Sequence, residues 1–269
     1  MQNIEFESPT LNEKGEIVAR TQYKAAQFSE DLGDGIRLDM IVIPSGIFQM
    51  GSLTHHGNDE EKPRHLVSIK SFLLGNFLVT QGQWKAIMGR LPPCRFKGDQ
   101  LPVERVSWND ADIFCQQLSR KTGGAYHLPS ESQWEYACRA GSDAPFSFGE
   151  TLTTDFANFC GEHIFRLEPA GVYRHVTTEG TKFPPNAFGI HDMHGNLWEW
   201  CADSWMDDYS SASRDDSAYQ NHRDEHRVAR GGSWHEPAAN CRGAARVRFI
   251  GSEADDFIGF RVAGMSNSM

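Results

Sequence analysis

A chain of 269 residues, 39% hydrophobic and 23% charged, is long enough to bury a substantial core, and its balance is that of a soluble globular protein. Its 36 acidic and 26 basic residues leave a net charge of −10, which argues against non-specific nucleic-acid binding, since that needs a basic face. No stretch approaches the roughly 18 apolar residues of a membrane span, and MQNIEFESPTLNEKG lacks the basic and apolar regions of a signal peptide, so the expectation is a cytoplasmic protein with no membrane partner.

Residues 1–35 read as a polar lead-in, and residues 36–269 as a single domain without repeats or low-complexity segments. Leu38 to Met50 reads as two short strands divided by Pro44-Ser45-Gly46, a pattern that favours a hairpin. His65 to Gly75 alternates well enough for one strand. Three helices follow, each with a start signal. Thr80 precedes QGQWKAIMG, Ser107 precedes WNDADIFCQQLSRKTG and Ser130 precedes ESQWEYACRAG. Gln83 and Gln133 complete the capping-box pattern, and Asp110 puts a shorter acid in the same place. Ala111, Phe114, Cys115 and Leu118 share one helical face, as do Trp134, Ala137 and Cys138, so both cysteines are expected in the core. After Gly141 regular signals thin out. Tyr209 to His226 reads as a polar, acidic insertion facing water.

The six cysteines, at 94, 115, 138, 160, 201 and 241, form no CxxC or CxxH. Free, mostly buried thiols are the expectation, not a zinc cluster. His55 and His56 sit in a polar loop without a spaced set of partner ligands. His191 and His194 flank Asp192 and lie near Glu199, which is weak support for a transition-metal site. A calcium site would use Asp192, Glu199 and the backbone of the Gly195 turn, because calcium takes carboxylates and carbonyls from a curving loop. The competing reading has Asp192 capping a turn and Glu199 paired with an arginine. Cys241 lies on no obvious helical stripe. Arg242 and Arg246 would favour its thiolate, but simple packing is the default. Trp198, Trp200 and Trp234 are read as core fillers, and Asp255 and Asp256 as a solvated turn.

These pieces come together in IPSGIFQMGS, EKPRHLVSIKSFLLGNFLVTQGQW, LPVERVSWNDADIFCQQLS, YHLPSESQWEYACRAG, FPPNAFGIHDMHGNLWEWCAD, RVARGGSW and IGFRV. In this order they resemble the formylglycine-generating enzyme, or sulfatase-modifying factor, family over about Met40 to Val262, in the style of bacterial and particularly cyanobacterial members. The resemblance implies an α+β, C-type-lectin-like fold with a small twisted antiparallel sheet, few helices and much irregular structure. It also implies a structural calcium held by the side chains of Asp192 and Glu199 and the carbonyls of Gly195 and Leu197, with a second calcium near Asn158.

The family's enzymes oxidise a substrate cysteine with oxygen and copper, holding copper(I) between two thiolates, soft ligands that suit the cuprous ion. Here the second thiolate position is Cys241 and the first is Glu236, a hard carboxylate, which argues against copper and against that activity. Cys241, Ser233 and Trp198 would be its residues in an atypical enzyme, and His235 beside Cys241 would make a different metal site. Other members resemble retroelement-diversified variable proteins, in which the same stretch is a recognition surface. On that pattern the ligand, a protein or a small molecule, would meet His235, Glu236, Ala238, Asn240, Ala245, Val247, Phe249, Ile250, Glu253, Asp255, Asp256 and Phe257. Glu236 and Glu253 count against active diversification, because adenine-directed mutation of an AAC or AAT codon cannot produce glutamate. A third use of the domain, fused to an iron-binding helical domain in sulfoxide synthases, finds no matching helices in the lead-in. The expectation is therefore a non-catalytic binding module with its surface across residues 235–257, and a copper-dependent oxidoreductase as the alternative.

Overall fold

The computed structural model describes residues 1–53 and 57–265, so His55 and His56 lie outside the described residues. The three expected helices form at Gln81–Met88 (α1), Trp108–Thr122 (α2) and Glu131–Arg139 (α3). Thr80, Ser107 and Ser130 each accept from the third backbone N–H of their helix, and all three capping boxes close. Asp110 reaches back despite its short side chain. Gly89 and Gly123 end α1 and α2 in the left-handed region, while α3 ends at Ala140, also left-handed, one residue before Gly141. The α2 stripe is buried as its spacing requires, with Ala111, Phe114 and Leu118 at 0% exposure and Cys115 at 1%. All six cysteines are free and buried.

The strands depart more from the local reading. Gln2–Leu11 (β1) and Ile17–Gly33 (β2) form a long hairpin where only a lead-in was expected, and β2 continues onto Ile36–Ile43 (β3). The hairpin is anchored near its tip, where the Leu11 N–H donates to the Phe148 carbonyl at 2.6 Å. Pro44-Ser45 does not turn a hairpin. It carries the chain from β3 to Gly46–Met50 (β4), which pairs in a separate two-stranded sheet with His65–Ile69 (β5). The expected strand from His65 to Gly75 divides for the same reason. Lys70-Ser71 cross between sheets, and Phe72–Gly75 (β6) lies against β3.

The strands Tyr126–His127 (β7) and Ala263–Met265 (β12) complete an antiparallel six-stranded sheet, ordered β1-β2-β3-β6-β12-β7. A four-stranded sheet holds the second half of the chain. Its strands are Trp198–Ser204 (β8), His226–Arg230 (β9), Arg246–Ile250 (β10) and Ile258–Gly259 (β11), in the order β10-β9-β8-β11, with β11 parallel to β8. Long irregular connections make up most of the rest. Small sheets, short helices and irregular loops are the α+β architecture expected.

Two features lock the second sheet in place. Trp84, Phe114 and Phe260 pack ring on ring at 5.3–6.1 Å between α1, α2 and the segment after β11. On the other side, α3 presents Glu131 and Glu135 to Arg230 of β9 and Arg246 of β10. Arg246 clamps Glu131 at 2.7 and 2.8 Å, and Arg230 pairs with Glu135 in full burial. Tyr209 is drawn into this network and donates to Glu131 at 2.9 Å, so it is buried although the insertion it begins is largely exposed. Burying these charges is tolerable only because each is paired and hydrogen-bonded. The result is a rigid backing for the stretch Arg227 to Val262.

A candidate ligand-binding face

β9 runs into Gly231-Gly232, and this turn sets the geometry of everything after it. Both glycines have positive φ, +97° and +76°. A side chain at Gly231 would meet the Trp134 ring at 3.0 Å, and one at Gly232 would collide with the Cys241 sulfur, so only glycine fits. The Gly231 carbonyl accepts from the Gly195 N–H at 2.7 Å and the Trp234 N–H donates to the Asn196 carbonyl at 2.9 Å. Trp234 is held again at its far end, where Nε1 donates to the Asp256 carbonyl at 3.1 Å.

From this anchor a ladder of rings crosses the face. Trp200 meets Phe249 at 5.9 Å, Phe249 meets Phe257 at 5.7 Å, Phe257 meets His235 at 5.0 Å, and His235 meets Trp234 at 5.1 Å. Beyond Trp234 lie Tyr173 at 6.1 Å and Phe96 at 5.7 Å. His235, Phe249 and Phe257 are half-buried, each leaving part of its surface to solvent. Of the other residues expected here, Glu236, Val247, Ile250 and Asp256 are half-buried, while Asn240, Glu253 and Asp255 are exposed.

Ala238 and Ala245 correct the expectation. Both are buried, at 0% and 5% exposure. Ala238 packs with Leu11, Phe146 and Phe148, and the carbonyl of Ala245 is bound by Arg230. They are walls behind the face, not points on it. Arg95, Phe96 and Tyr173 pack against Trp234 and were not read from the sequence, because they come from loops far away in the chain with no local signal to link them.

The oxidase positions look different in three dimensions. Cys241 has 0% exposure and lies in the same cluster as Ala238. Burial, with the nearby Glu236 carboxylate, pushes its thiol far above the usual range, so it stays protonated. Arg242, which would favour a thiolate, is occupied by Glu61 through bonds of 2.6 and 2.8 Å. Glu236 accepts from the Asn240 amide at 2.6 Å and faces His235 Nε2 at 3.6 Å, while Ser233 Oγ lies 3.1 Å from His235 Nδ1. Ser233 is wholly buried, and Trp198 belongs to the core cluster around Phe114 and Phe260. A sealed neutral thiol beside a carboxylate is a poor fit for copper(I), which prefers two thiolates.

The calcium set fits no better. Glu199 has both oxygens bound by Arg261, at 2.6 Å each, and Oε2 also accepts from Trp134 Nε1 at 2.8 Å. The positive charge beside this carboxylate is a guanidinium of the chain itself. Asp192 accepts from Asn196 at 2.9 Å within the turn, where both residues have positive φ. At the second expected position, Asn158 Oδ1 is buried without a hydrogen-bond partner. The nearby histidines are structural: His191 Nδ1 faces the Phe183 carbonyl at 2.8 Å and His194 Nδ1 faces the Cys241 carbonyl at 2.8 Å. Burial lowers both rings to about 4, so they are neutral. Among the described residues, no group of three or more His, Cys, Asp or Glu is placed to hold a metal.

This fold and these motifs define the class. The family model described as the sulfatase-modifying factor enzyme 1-like domain matches residues 34–265, and the chain belongs to that family. Its relatives divide in character. The inactive Cα-formylglycine-generating enzyme 2 of Bos taurus is 28% identical, with 87% of this chain and 90% of that protein covered. Among solved structures, PvdO from Pseudomonas aeruginosa is similar at 32% identity and a TM-score of 0.77, over 88% of this chain and 98% of PvdO. Variable protein 1 of Treponema denticola is similar at 25% identity and a TM-score of 0.78, over 89% of this chain and 99% of that chain.

Proposed function

We propose that this protein is a non-catalytic binding module that meets a protein or small-molecule ligand on the face built from residues 235–257. The observation that carries this reading is the ladder of half-buried rings Phe249, Phe257 and His235, backed by the buried Trp234 and rimmed by the exposed Asn240, Glu253 and Asp255. Aromatic surface with a polar rim, on a rigid scaffold, is what recognition sites are made of. Similarity to a variable protein and to an inactive enzyme supports the same reading. Glu236 and Glu253 favour a stable, diverged relative of the variable proteins over an actively diversified one.

Titration with copper(I) against a chromogenic chelator, followed by incubation with a cysteine peptide and oxygen, tests the proposal. We expect no stoichiometric copper(I) uptake and no formylglycine by mass spectrometry. Tight one-to-one uptake that disappears in Cys241→Ser, or formation of the aldehyde, would overturn the binding-only reading.

A further inference from the structure

We propose that Arg95 fills a guanidinium subsite at one end of this face, which an arginine side chain of a protein ligand enters by displacing it. The proposal rests on the reading of the face as a recognition surface and names the chemistry of one part of it.

Arg95 lies in the loop between α1 and α2. Its guanidinium carbon is 5.1 Å from the Phe96 ring centroid and 5.5 Å from that of Trp234. Nη1 pairs with Asp256 Oδ2 at 2.9 Å. The arginine side chain is nevertheless 49% exposed, while that of Asp256 is 13% exposed. A half-open ion pair and a solvent-facing cation–π contact are each weak, so Arg95 leaves at little cost.

What it would leave behind is suited to another guanidinium. The walls are the rings of Trp234 and Phe96, with Tyr173 stacked on Trp234. The floor is acidic. Asp256 supplies it, and behind it lies Glu104, whose side chain has 0% exposure and which shares the neighbouring Arg105 with Asp256. Glu104 Oε1 accepts from the Phe96 N–H at 3.0 Å, but Oε2 has no hydrogen-bond partner. The cation beside it, Arg105, stands off at 3.8 Å, and its own Nε is also buried without a partner. A buried carboxylate oxygen left unsatisfied is costly and calls for a donor. Burial pushes the Glu104 carboxyl up, and the like charge of Asp256 adds a smaller part. Flat π walls over a carboxylate floor select a planar, delocalised cation over a compact ammonium.

Isothermal titration of the full chain with Nα-acetyl-arginine amide, its lysine counterpart and its uncharged citrulline counterpart tests the subsite. Arg95→Ala removes the internal competitor, so it should bind the arginine probe at least about tenfold more tightly than the wild type. Asp256→Asn in that background should lose the gain, and the citrulline and lysine probes should bind more weakly than arginine. Arg95→Lys, which keeps a charge in place, should stay near the wild type and serves as the folding control. An Arg95→Ala protein that binds no better than the wild type overturns the proposal. So does equal binding of citrulline, which would mean stacking alone, or of lysine, which would mean a general cation site. These failures without copper(I) uptake remove the subsite only. Copper(I) uptake through Cys241 removes the reading of the face on which it rests.

Discussion

Arg261–Glu199 and Arg95–Asp256 are the same chemical pair in two settings. The first is fully buried on both sides, bidentate at 2.6 Å, with the remaining guanidinium donors on the carbonyls of Gly75 and His191. The second shares one bond of 2.9 Å and leaves half of its arginine in water. Desolvation separates them. In the sealed pair, losing one partner strands a charge that water cannot reach. In the open pair, water replaces whatever is lost. Both lie where the family resemblance raises a functional question, yet only the Arg95–Asp256 pair opens to solvent.

The largest effect that would test this contrast is on stability. Arg261→Met should destabilise the protein by about 3–5 kcal/mol in urea denaturation, because Glu199 is left buried and unpaired. The double variant Arg261→Met/Glu199→Gln should recover most of that loss, and Arg95→Ala should cost less than about 1 kcal/mol. Equal costs for the two arginine variants would erase the distinction.

A smaller effect comes from a buried carboxylate with no arginine bonded to it. Asp203 accepts the N–H of Glu131 at 2.7 Å and that of Tyr219 at 2.8 Å. Burial, and then the like charge of Glu131, push it up to about 7 from 3.8. Between those values the native state holds a proton that the unfolded state has released. Its contribution is therefore complete below about 3.8 and is lost as pH rises through about 7. The buried neutral His191 and His194 act in the opposite direction between about 4 and 6.5, and Asp192 acts in the same direction as Asp203, so the effect is read as a difference: from pH 5 to pH 8 the wild type should lose melting temperature relative to Asp203→Asn. A slope unchanged in Asp203→Asn would place the titrating group elsewhere.

The smallest expected effect is none. If Arg261 is the cation at Glu199, chelation with EDTA should leave the melting temperature where it was. A clear drop would place a stabilising metal in the fold, since a ligand bound only to the native state raises its stability.

The comparison also shows what is readable from local pattern. Each helix start was legible, because a cap is a contact between residues three apart. The buried stripe of α2 was legible because a helix repeats its faces. The hairpin expected around Pro44-Ser45-Gly46 was not found, because two strands separated by a turn can pair with each other or with different sheets. Here β3 has β2 and β6 as neighbours, and β4 has β5. The same limit hid the β1–β2 hairpin in a segment too polar to show a core-facing pattern. Of the proposed face, the structure shows that His235, Phe249 and Phe257 are half-buried and in ring contact, residues that the irregular stretch itself had singled out. The inward turn of Ala238 and Ala245 was not legible, because small apolar side chains suit a wall as well as a surface.

The sequence by itself determined the family and the helices, since each is a matter of residue identity at short spacing. Only the tertiary structure decided which charges are sealed and which are open. Glu199 could have ligated a metal or paired with an arginine, and Arg261, 62 residues away, takes both of its oxygens. Asp256 read as part of a solvated turn, and Arg95, 161 residues earlier, pairs with it beside the Phe96 and Trp234 rings. Desolvation depends on what packs around a group, and those neighbours come from parts of the chain that no local pattern connects.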